Sequence, residues 1–255
     1  MAILFHQFPY LSDNYGVLVH DEGSGQTACV DAGDAEAVLG ALKDTGWALS
    51  ELWITHWHWD HTDGMDAVRE ATGCRVTGPG YAGGKALRYD RTVQGGDRFT
   101  FVGASVEVLH TPGHTMDMVN YLLPDQQVIF TGDTLFAMGC GRVFEGSHED
   151  MYGSMEQLRA LDPGVTVYGG HEYTQSNARF ALSVDPDNKA LISRAKEVEA
   201  LRAAGVPTMP TTMAQEFATN PFLRYGDAGI RAELAMEAAT DAEVFSEIRT
   251  RKDNF

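Results

Sequence analysis

The segment Thr55–His61 concentrates side chains that can bind metal ions. Within it, His56, His58, Asp60 and His61 fall inside six residues, a density that neither helix packing nor sheet packing requires. Successive side chains of an extended segment point to opposite sides, so His56 and His58 can converge on one ion. Asp60 and His61 come where the chain turns away and can serve another ion. The sequence therefore predicts that one short loop contributes to two metal sites.

Further candidate ligands follow strand-like runs later in the chain, in the same way that the first segment follows the predicted strand Glu51–Ile54. Each is flanked by glycine, which lets the backbone approach a ligand closely. They are His114 after Val106–Val108, Asp133 after Val128–Phe130, and His171 after Val165–Tyr168. Ligands at the carboxyl ends of strands suit a catalytic site. The repeated arrangement, more than any single histidine, indicates a metal centre.

Several longer segments carry a family resemblance. They are Ser12–Tyr15, Thr55–His61, Thr111–Thr115, Phe130–Phe136, Gly139–Arg142, Gly170–Thr174, Asn220–Arg224 and Arg249–Phe255. In these segments the chain resembles the metallo-β-lactamase superfamily and, within it, the glyoxalase II (hydroxyacylglutathione hydrolase) family. The metal motifs are shared by many superfamily members and alone indicate only fold and metal. Gly139–Arg142, Gly170–Thr174 and Asn220–Arg224 are far more particular to glyoxalase II.

The resemblance implies a role for each candidate ligand. His56, His58 and His114 would bind the first ion, Asp60, His61 and His171 the second, and Asp133 would bridge both. Neutral imidazoles hold cations without cancelling their charge, and a carboxylate between two cations offsets their repulsion. We therefore expect two divalent ions per chain, with zinc preferred and iron or manganese as alternatives. A hydroxide shared by the ions and oriented by Asp60 would attack the substrate carbonyl, which makes Asp60 and Asp133 the catalytic carboxylates.

The implied reaction is hydrolysis of the thioester S-D-lactoylglutathione to glutathione and D-lactate, the second step of methylglyoxal detoxification. A net charge of −17 argues against a nucleic-acid partner, and it would repel an anionic substrate unless the site holds local positive charge. Arg249 and Lys252, at i and i+3 of a predicted helix, can supply that charge on one face. The resemblance adds Arg142, Phe144 and Tyr173 as substrate-binding residues.

The chain departs from the family at four places. Asp117–Met118 and Asp63–Gly64 stand where the family commonly has Gly-His and paired glycines, and Trp57 replaces a histidine. Phe144 replaces a tyrosine, whose hydroxyl would contribute about 0.5–1.5 kcal/mol through a hydrogen bond. None of these is an assigned ligand, so we expect altered loop shape and modest affinity with metal binding intact. Asp63 and Asp117 are expected to be solvated.

Hydropathy patterning predicts where the helices lie. Asp34–Lys43 carries an apolar face with Gly46 as a stop, and residues 191–201 carry an apolar stripe that ends before Gly205. Thr240 with Glu243 forms a capping box for the last helix. Residues 1 to about 170 alternate strands with helices, whereas the remainder is helical.

Pattern and resemblance together predict an α/β (α+β) protein in two domains. The first, residues 1–173, is expected to be a four-layer αββα sandwich that carries the catalytic site. The second, residues 174–255, is expected to be helical and to bind glutathione. The layering itself is implied by the resemblance, since periodicity does not establish it.

Cysteine usage and the amino terminus bear on location. Cys29, Cys74 and Cys140 form no paired spacing and no CxxC motif, which suits a reducing compartment. The chain begins without a basic n-region, and no stretch approaches ~20 uninterrupted apolar residues. We therefore expect a cytoplasmic monomer that binds a small-molecule thioester and neither nucleic acid nor membrane.

Three other classes of function remain open. A different hydrolase of the same fold, such as a lactonase or a phosphodiesterase, would share the seven ligands but not Arg142, Tyr173, Arg249 and Lys252 together. A non-hydrolytic di-iron redox protein of the fold usually has glutamate where His58 stands, and no flavin-binding segment follows here. A non-catalytic metal-binding module would need a lost ligand, and none is lost.

Overall fold

The computed structural model describes residues 2–81 and 87–255, which form two compact units. The first unit comprises Met1–His110 and Thr115–Gly132, and the second comprises Thr111–His114 and Asp133–Phe255. Both contain strands and helices.

The first unit begins with a mixed sheet. Its strands are β1 (Ile3–Tyr10), β2 (Asn14–Asp21), β3 (Gln26–Val30), β4 (Ala48–Trp53), β5 (Arg75–Pro79) and β6 (Arg91–Val93), in that order across the sheet. The pairs from β1 to β3 are antiparallel, whereas those from β3 to β6 are parallel. Parallel pairing brings strand carboxyl ends to one edge, which is where the first ligand segment follows β4.

Helices α1 (Ala35–Thr45), α2 (Trp59–Thr62) and α3 (Met65–Thr72) connect these strands. The predicted stop of α1 is confirmed, since Gly46 ends the helix at φ 74°. The helix begins one residue after Asp34, whose side chain caps it by accepting from the Glu36 and Ala37 backbone N–H groups. Val38 and Val68 of α1 and α3 belong to the same buried apolar cluster as Leu52 of the sheet. These helices therefore cover one face of the sheet.

A second set of strands lies against the other face of that sheet. Strands β7 (Arg98–Phe101), β8 (Ala104–His110), β9 (Val119–Leu123) and β10 (Val128–Gly132) pair antiparallel in sequence order. The buried Trp53 ring lies 5.3 Å from Phe101 and 5.7 Å from Tyr121, between ring centroids. The Tyr121 hydroxyl donates to Ile54 O at 2.7 Å. The first unit is thus a sandwich in which the sheet β1–β6 has helices on one face and strands β7–β10 on the other.

The second unit is mainly helical. Its elements are β11 (Leu135–Phe136), β12 (Gly139–Cys140), α4 (His148–Arg159), β13 (Thr166–Gly169), α5 (Thr174–Val184), α6 (Lys189–Ala203), β14 (Thr211–Thr212), α7 (Met213–Thr219), α8 (Ala228–Glu233) and α9 (Asp241–Asp253). The capping box at Thr240 and Glu243 is confirmed at the start of α9. The expectation that the chain after about residue 170 is helical throughout was wrong. Strand β14 interrupts the helices and pairs antiparallel with β13. A two-residue strand is too short to show alternation in the sequence.

Two further properties of the chain concern membrane-spanning helices and the reactivity of its cysteines. Within residues 2–81 and 87–255, no helix combines the length and apolar character needed to cross a bilayer. Cys29, Cys74 and Cys140 are free and buried, and burial raises the pKa of each thiol. Thiols with raised pKa are poor nucleophiles, so none of the three is suited to catalysis.

Candidate metal centre

Four predicted ligands converge within the first unit. The segment leaving β4 is extended up to His58, and α2 then turns the chain so that Asp60 and His61 face back towards it. The His56 ring centroid lies 4.8 Å from that of His58 and 4.2 Å from that of His61. Asp60 Oδ2 lies 3.5 Å from His61 Nε2. The close approach of these side chains agrees with the expected convergence.

Asp31 orients two of these histidines, and the sequence analysis missed it. Its Oδ1 accepts from Thr55 N at 2.8 Å, and its Oδ2 accepts from Thr55 Oγ1 at 2.9 Å and lies 2.8 Å from His61 Nδ1. Because the Thr55 hydroxyl donates to Asp31, it can accept from His56 Nδ1, 3.0 Å away. One buried carboxylate therefore favours the Nδ1–H tautomer of both rings and leaves both Nε2 atoms as ligand atoms.

Asp60 is also held by a side chain that the sequence analysis had only associated with the family resemblance. Asn14 Nδ2 donates to Asp60 Oδ2 at 3.0 Å and lies 3.4 Å from the Asp60 carbonyl oxygen. Asn14 is the first residue of β2 and is buried. A rigid strand thus fixes the orientation of this carboxylate.

Three predicted ligands lie together in the second unit. Asp133 Oδ2 is 3.4 Å from His114 Nε2 and 3.2 Å from His171 Nε2. All three residues are buried. His114 Nδ1 donates to Arg142 O at 2.8 Å, which again leaves Nε2 as the ligand atom. The carboxylate of Asp133 is therefore adjacent to two imidazoles.

The seven ligand candidates supply five imidazoles and two carboxylates. They are His56, His58, Asp60 and His61 in the first unit, and His114, Asp133 and His171 in the second. Imidazole and carboxylate donors match what divalent zinc, iron and manganese accept. The residues present therefore fit a divalent metal centre.

The predicted substrate-binding residues Arg142, Phe144 and Tyr173 are exposed beside ligands of the second unit. The Phe144 side chain is exposed and its ring lies edge-on to His114, with centroids 5.3 Å apart. Tyr173 stacks on His171 at 4.7 Å. Arg142 projects outwards, with its Nε 3.9 Å from a carboxylate oxygen of Asp253.

Arg249 and Lys252 differ in a way that the sequence did not predict. Arg249 is only 3% exposed. Its guanidinium donates to the carbonyl oxygens of Cys140 at 3.2 Å and Gly141 at 3.4 Å, and to Asp253 Oδ1 at 2.9 Å. Contrary to our expectation, Arg249 therefore does not present its charge at the surface. Helical spacing sets the direction of a side chain around the axis, whereas depth depends on what packs against that face.

Lys252 is half-buried but accessible. Its Nζ lies 3.4 Å from Ser176 Oγ and 5.2 Å from the centroid of the Phe180 ring. Burial, together with the nearby Arg249 charge, lowers the pKa of Lys252 to about 8. An incoming carboxylate would stabilise the ammonium, so this side chain is well placed to respond to an anionic ligand.

The departures from the family have mixed outcomes. Asp63 is exposed, as expected. The expectation that Asp117 is solvated was wrong, because Asp117 is 2% exposed and Met118 fully buried. His110 at the end of β8 approaches the same connection, with its Nε2 2.9 Å from Met116 O. These residues shape a packed turn.

Two family models together match nearly the whole chain. The model of the metallo-beta-lactamase superfamily matches residues 13–171, and the model of the hydroxyacylglutathione hydrolase C-terminus matches residues 172–255. Among solved structures, ETHE1 from Myxococcus xanthus is 25% identical, with 98% of each chain covered and a TM-score of 0.67. The BLEG-1 B3 metallo-beta-lactamase is 23% identical, with 86% of this chain and 99% of that one covered and a TM-score of 0.66. The metallo-β-lactamase fold predicted from the sequence is confirmed.

Much closer relatives occur among curated proteins. The hydroxyacylglutathione hydrolases of Brucella ovis and Brucella abortus (strain 2308) are each 53% identical to this chain over 249 residues. The match covers 98% of this chain and 97% of either relative. The chain therefore belongs to the hydroxyacylglutathione hydrolase family of the metallo-β-lactamase superfamily.

Proposed function

We propose that this protein hydrolyses S-D-lactoylglutathione to glutathione and D-lactate, using two divalent metal ions per chain, preferably zinc. The observation that carries the proposal is a set of seven imidazole and carboxylate ligands with exposed Arg142, Phe144 and Tyr173 beside two of them. The names of the closely related hydroxyacylglutathione hydrolases support the same substrate. As in the sequence analysis, the reaction would be the second step of methylglyoxal detoxification.

The proposed ligand roles are those that the family resemblance implies. His56, His58 and His114 would hold one ion, Asp60, His61 and His171 the other, and Asp133 both. When bound, the ions would lower the pKa of a water towards ~7 and polarise the thioester carbonyl. Asp60, held by Asn14, would orient the attacking water. The leaving thiolate has a parent pKa near ~8.5, so the reaction needs little help from a general acid.

The proposed substrate site lies in the second unit. Arg142 and Lys252 would bind the carboxylates of the glutathione moiety, which offsets the repulsion expected from a net charge of −17. The flat faces of Phe144 and Tyr173 would contact its peptide backbone. Phe144 contributes no hydroxyl donor, so we expect this part of the site to act through packing alone.

We also propose the domain division, location and oligomeric state given by the sequence. A catalytic domain of residues 1–173 followed by a glutathione-binding domain of residues 174–255 is supported by the boundary between the two family models at residues 171 and 172. Free, buried thiols support a reducing compartment such as the cytoplasm. A large negative charge favours a monomer, because like-charged copies repel one another.

The proposal predicts that Lys252→Ala raises KM for S-D-lactoylglutathione by about 10-fold, the effect of losing one charge-assisted hydrogen bond, with kcat changed less. Because the pKa of Lys252 is about 8, the wild-type KM should also rise between pH 7 and pH 9, as the ammonium loses its proton. The Lys252→Ala variant should lack that rise. Steady-state kinetics across this pH range test both effects.

Two controls make this test specific. Arg251→Ala removes a neighbouring charge that is paired with Glu247 at 2.8 Å, and it should leave KM unchanged. S-D-lactoyl-N-acetylcysteamine offers the same thioester without glutathione carboxylates, so Lys252→Ala should not affect its hydrolysis. If wild-type protein hydrolyses both thioesters with equal kcat/KM, the assignment of glutathione as the recognised group is wrong.

A further inference from the structure

One segment of the second unit supports the proposed ligand His114 near one of its ends. This segment, residues 135–146, contains β11, β12 and the loop after them, and we call it the support segment. Its Arg142 carbonyl accepts from His114 Nδ1 at 2.8 Å, and its Phe144 N–H donates to His114 O at 3.2 Å. A Cβ atom at Gly141 would lie 1.9 Å from Asp133 O and 3.2 Å from His114 Nδ1. Only glycine allows this approach.

The other end of the support segment is held by buried polar side chains. Asn220 Nδ2 donates to Phe136 O at 3.2 Å and to Gly139 O at 2.9 Å. Glu216 Oε2 accepts from Met138 N at 2.8 Å. As described above, Arg249 donates to the carbonyl oxygens of Cys140 and Gly141. These side chains come from α7, the turn after it, and α9, so the helical region fixes the backbone of the support segment.

The burial of these groups indicates that they act on the backbone and not on a ligand in solvent. Glu216, Asn220 and Arg249 are 1%, 0% and 3% exposed. Burial raises the pKa of Glu216, and a buried charge or amide costs free energy unless it is hydrogen-bonded. Two strands of two residues each supply little pairing of their own. The conformation of the support segment therefore depends on these partners.

We infer that Asn220, Glu216 and Arg249 are positioning residues for the metal centre, acting on His114 through the support segment. The inference rests on the proposed role of His114 as a metal ligand. It gives the carboxyl-terminal helices a second task besides binding substrate. It also separates two neighbours on α9: Arg249 supports a metal ligand, whereas Lys252 would contact the substrate.

Asn220→Ala tests this inference because it removes both donors to β11 and β12 without introducing a charge. We expect metal affinity, measured by chelator competition on the purified protein, to fall by about 10-fold to 100-fold, the effect typical of losing a group that orients a ligand. We expect kcat to fall while KM changes little. Glu216→Gln keeps an acceptor for Met138 N and should retain wild-type metal affinity. Glu216→Ala removes that acceptor and should lower metal affinity as Asn220→Ala does.

Asn188→Ala is a matched control, since it also removes a side-chain amide that donates to a backbone carbonyl, here that of Ala218 in α7, at 2.9 Å. It should lower Tm without lowering metal affinity. If Asn220→Ala does not fold, Arg249→Lys gives the same test, because lysine keeps the charge but loses the planar fork. Wild-type metal affinity and kcat in Asn220→Ala, or an equal loss in Asn188→Ala, would overturn the inference.

His114→Ala separates failure of this inference from failure of the proposed function. If His114→Ala keeps wild-type metal affinity, the ligand assignment is wrong and the inference falls with it. If His114→Ala loses affinity while Asn220→Ala, Glu216→Ala and Arg249→Lys do not, only the inference is overturned.

Discussion

Asp133→Ala should remove both metal ions at once and lower kcat by more than about 100-fold, the upper range seen when a group that merely orients a ligand is lost. The physical reason is that Asp133 Oδ2 lies 3.4 Å from His114 Nε2 and 3.2 Å from His171 Nε2, two ligands proposed for different ions. Without this carboxylate, the repulsion between the two cations would lose the anion proposed to lie between them. Elemental analysis and kcat of the same preparation provide the measurement.

Asp63→Ala is the control for this prediction. Asp63 is an exposed carboxylate next to the ligand segment, and its loss should leave both the metal content and kcat as in the wild type. Retention of two ions by Asp133→Ala would show that Asp133 is not the bridge. Retention of one ion would show that it serves a single site.

Asp31→Asn should weaken metal binding by about 10-fold to 100-fold although it changes the shape of the side chain very little. The amide oxygen must face Thr55 N, which is a donor 2.8 Å away, so the NH₂ group comes to face His61 Nδ1. Two donors then oppose each other, and the His61 proton is driven to Nε2, the proposed ligand atom. The Thr55 hydroxyl also loses its acceptor. Metal affinity by chelator competition, together with kcat, measures the effect.

Asp21→Asn is a matched control for this substitution. Asp21 is also a buried carboxylate of the first unit, and its Oδ2 accepts from Ser24 N at 2.8 Å. It touches no proposed ligand, so its replacement should affect stability alone. If Asp31→Asn binds metal like the wild type, the idea that one carboxylate sets the tautomers of His56 and His61 is wrong.

Sequence patterns predicted the parts of this molecule in which local chemistry decides local structure. The Gly46 stop and the capping box of α9 depend on neighbouring residues, so they could be predicted directly from the sequence. The candidate ligands were also visible, because histidines that follow successive strands have no packing explanation. The seven candidates thus formed a pattern before any geometry was known.

Residues whose importance lies in distant contacts were not visible in the same way. Asp31 also follows a strand, but a single aspartate without a nearby histidine gives no signal of a metal site. Asn220 bonds to β11 and β12, and Glu216 bonds to Met138 between them, all more than 70 residues away in sequence. Arg249 was predicted to present its charge to the substrate on the same face as Lys252, because helical periodicity gives the direction of a side chain without its depth. Tertiary packing decides all four cases.

Titration of metal-free protein with Zn²⁺, while hydrolysis of S-D-lactoylglutathione is measured, tests the account most directly. Seven ligands shared between two ions predict that activity rises until about two equivalents per chain are bound and then stays constant. Full activity at one equivalent would contradict the binuclear centre. The absence of thioester hydrolysis at every metal load would contradict the proposed function itself.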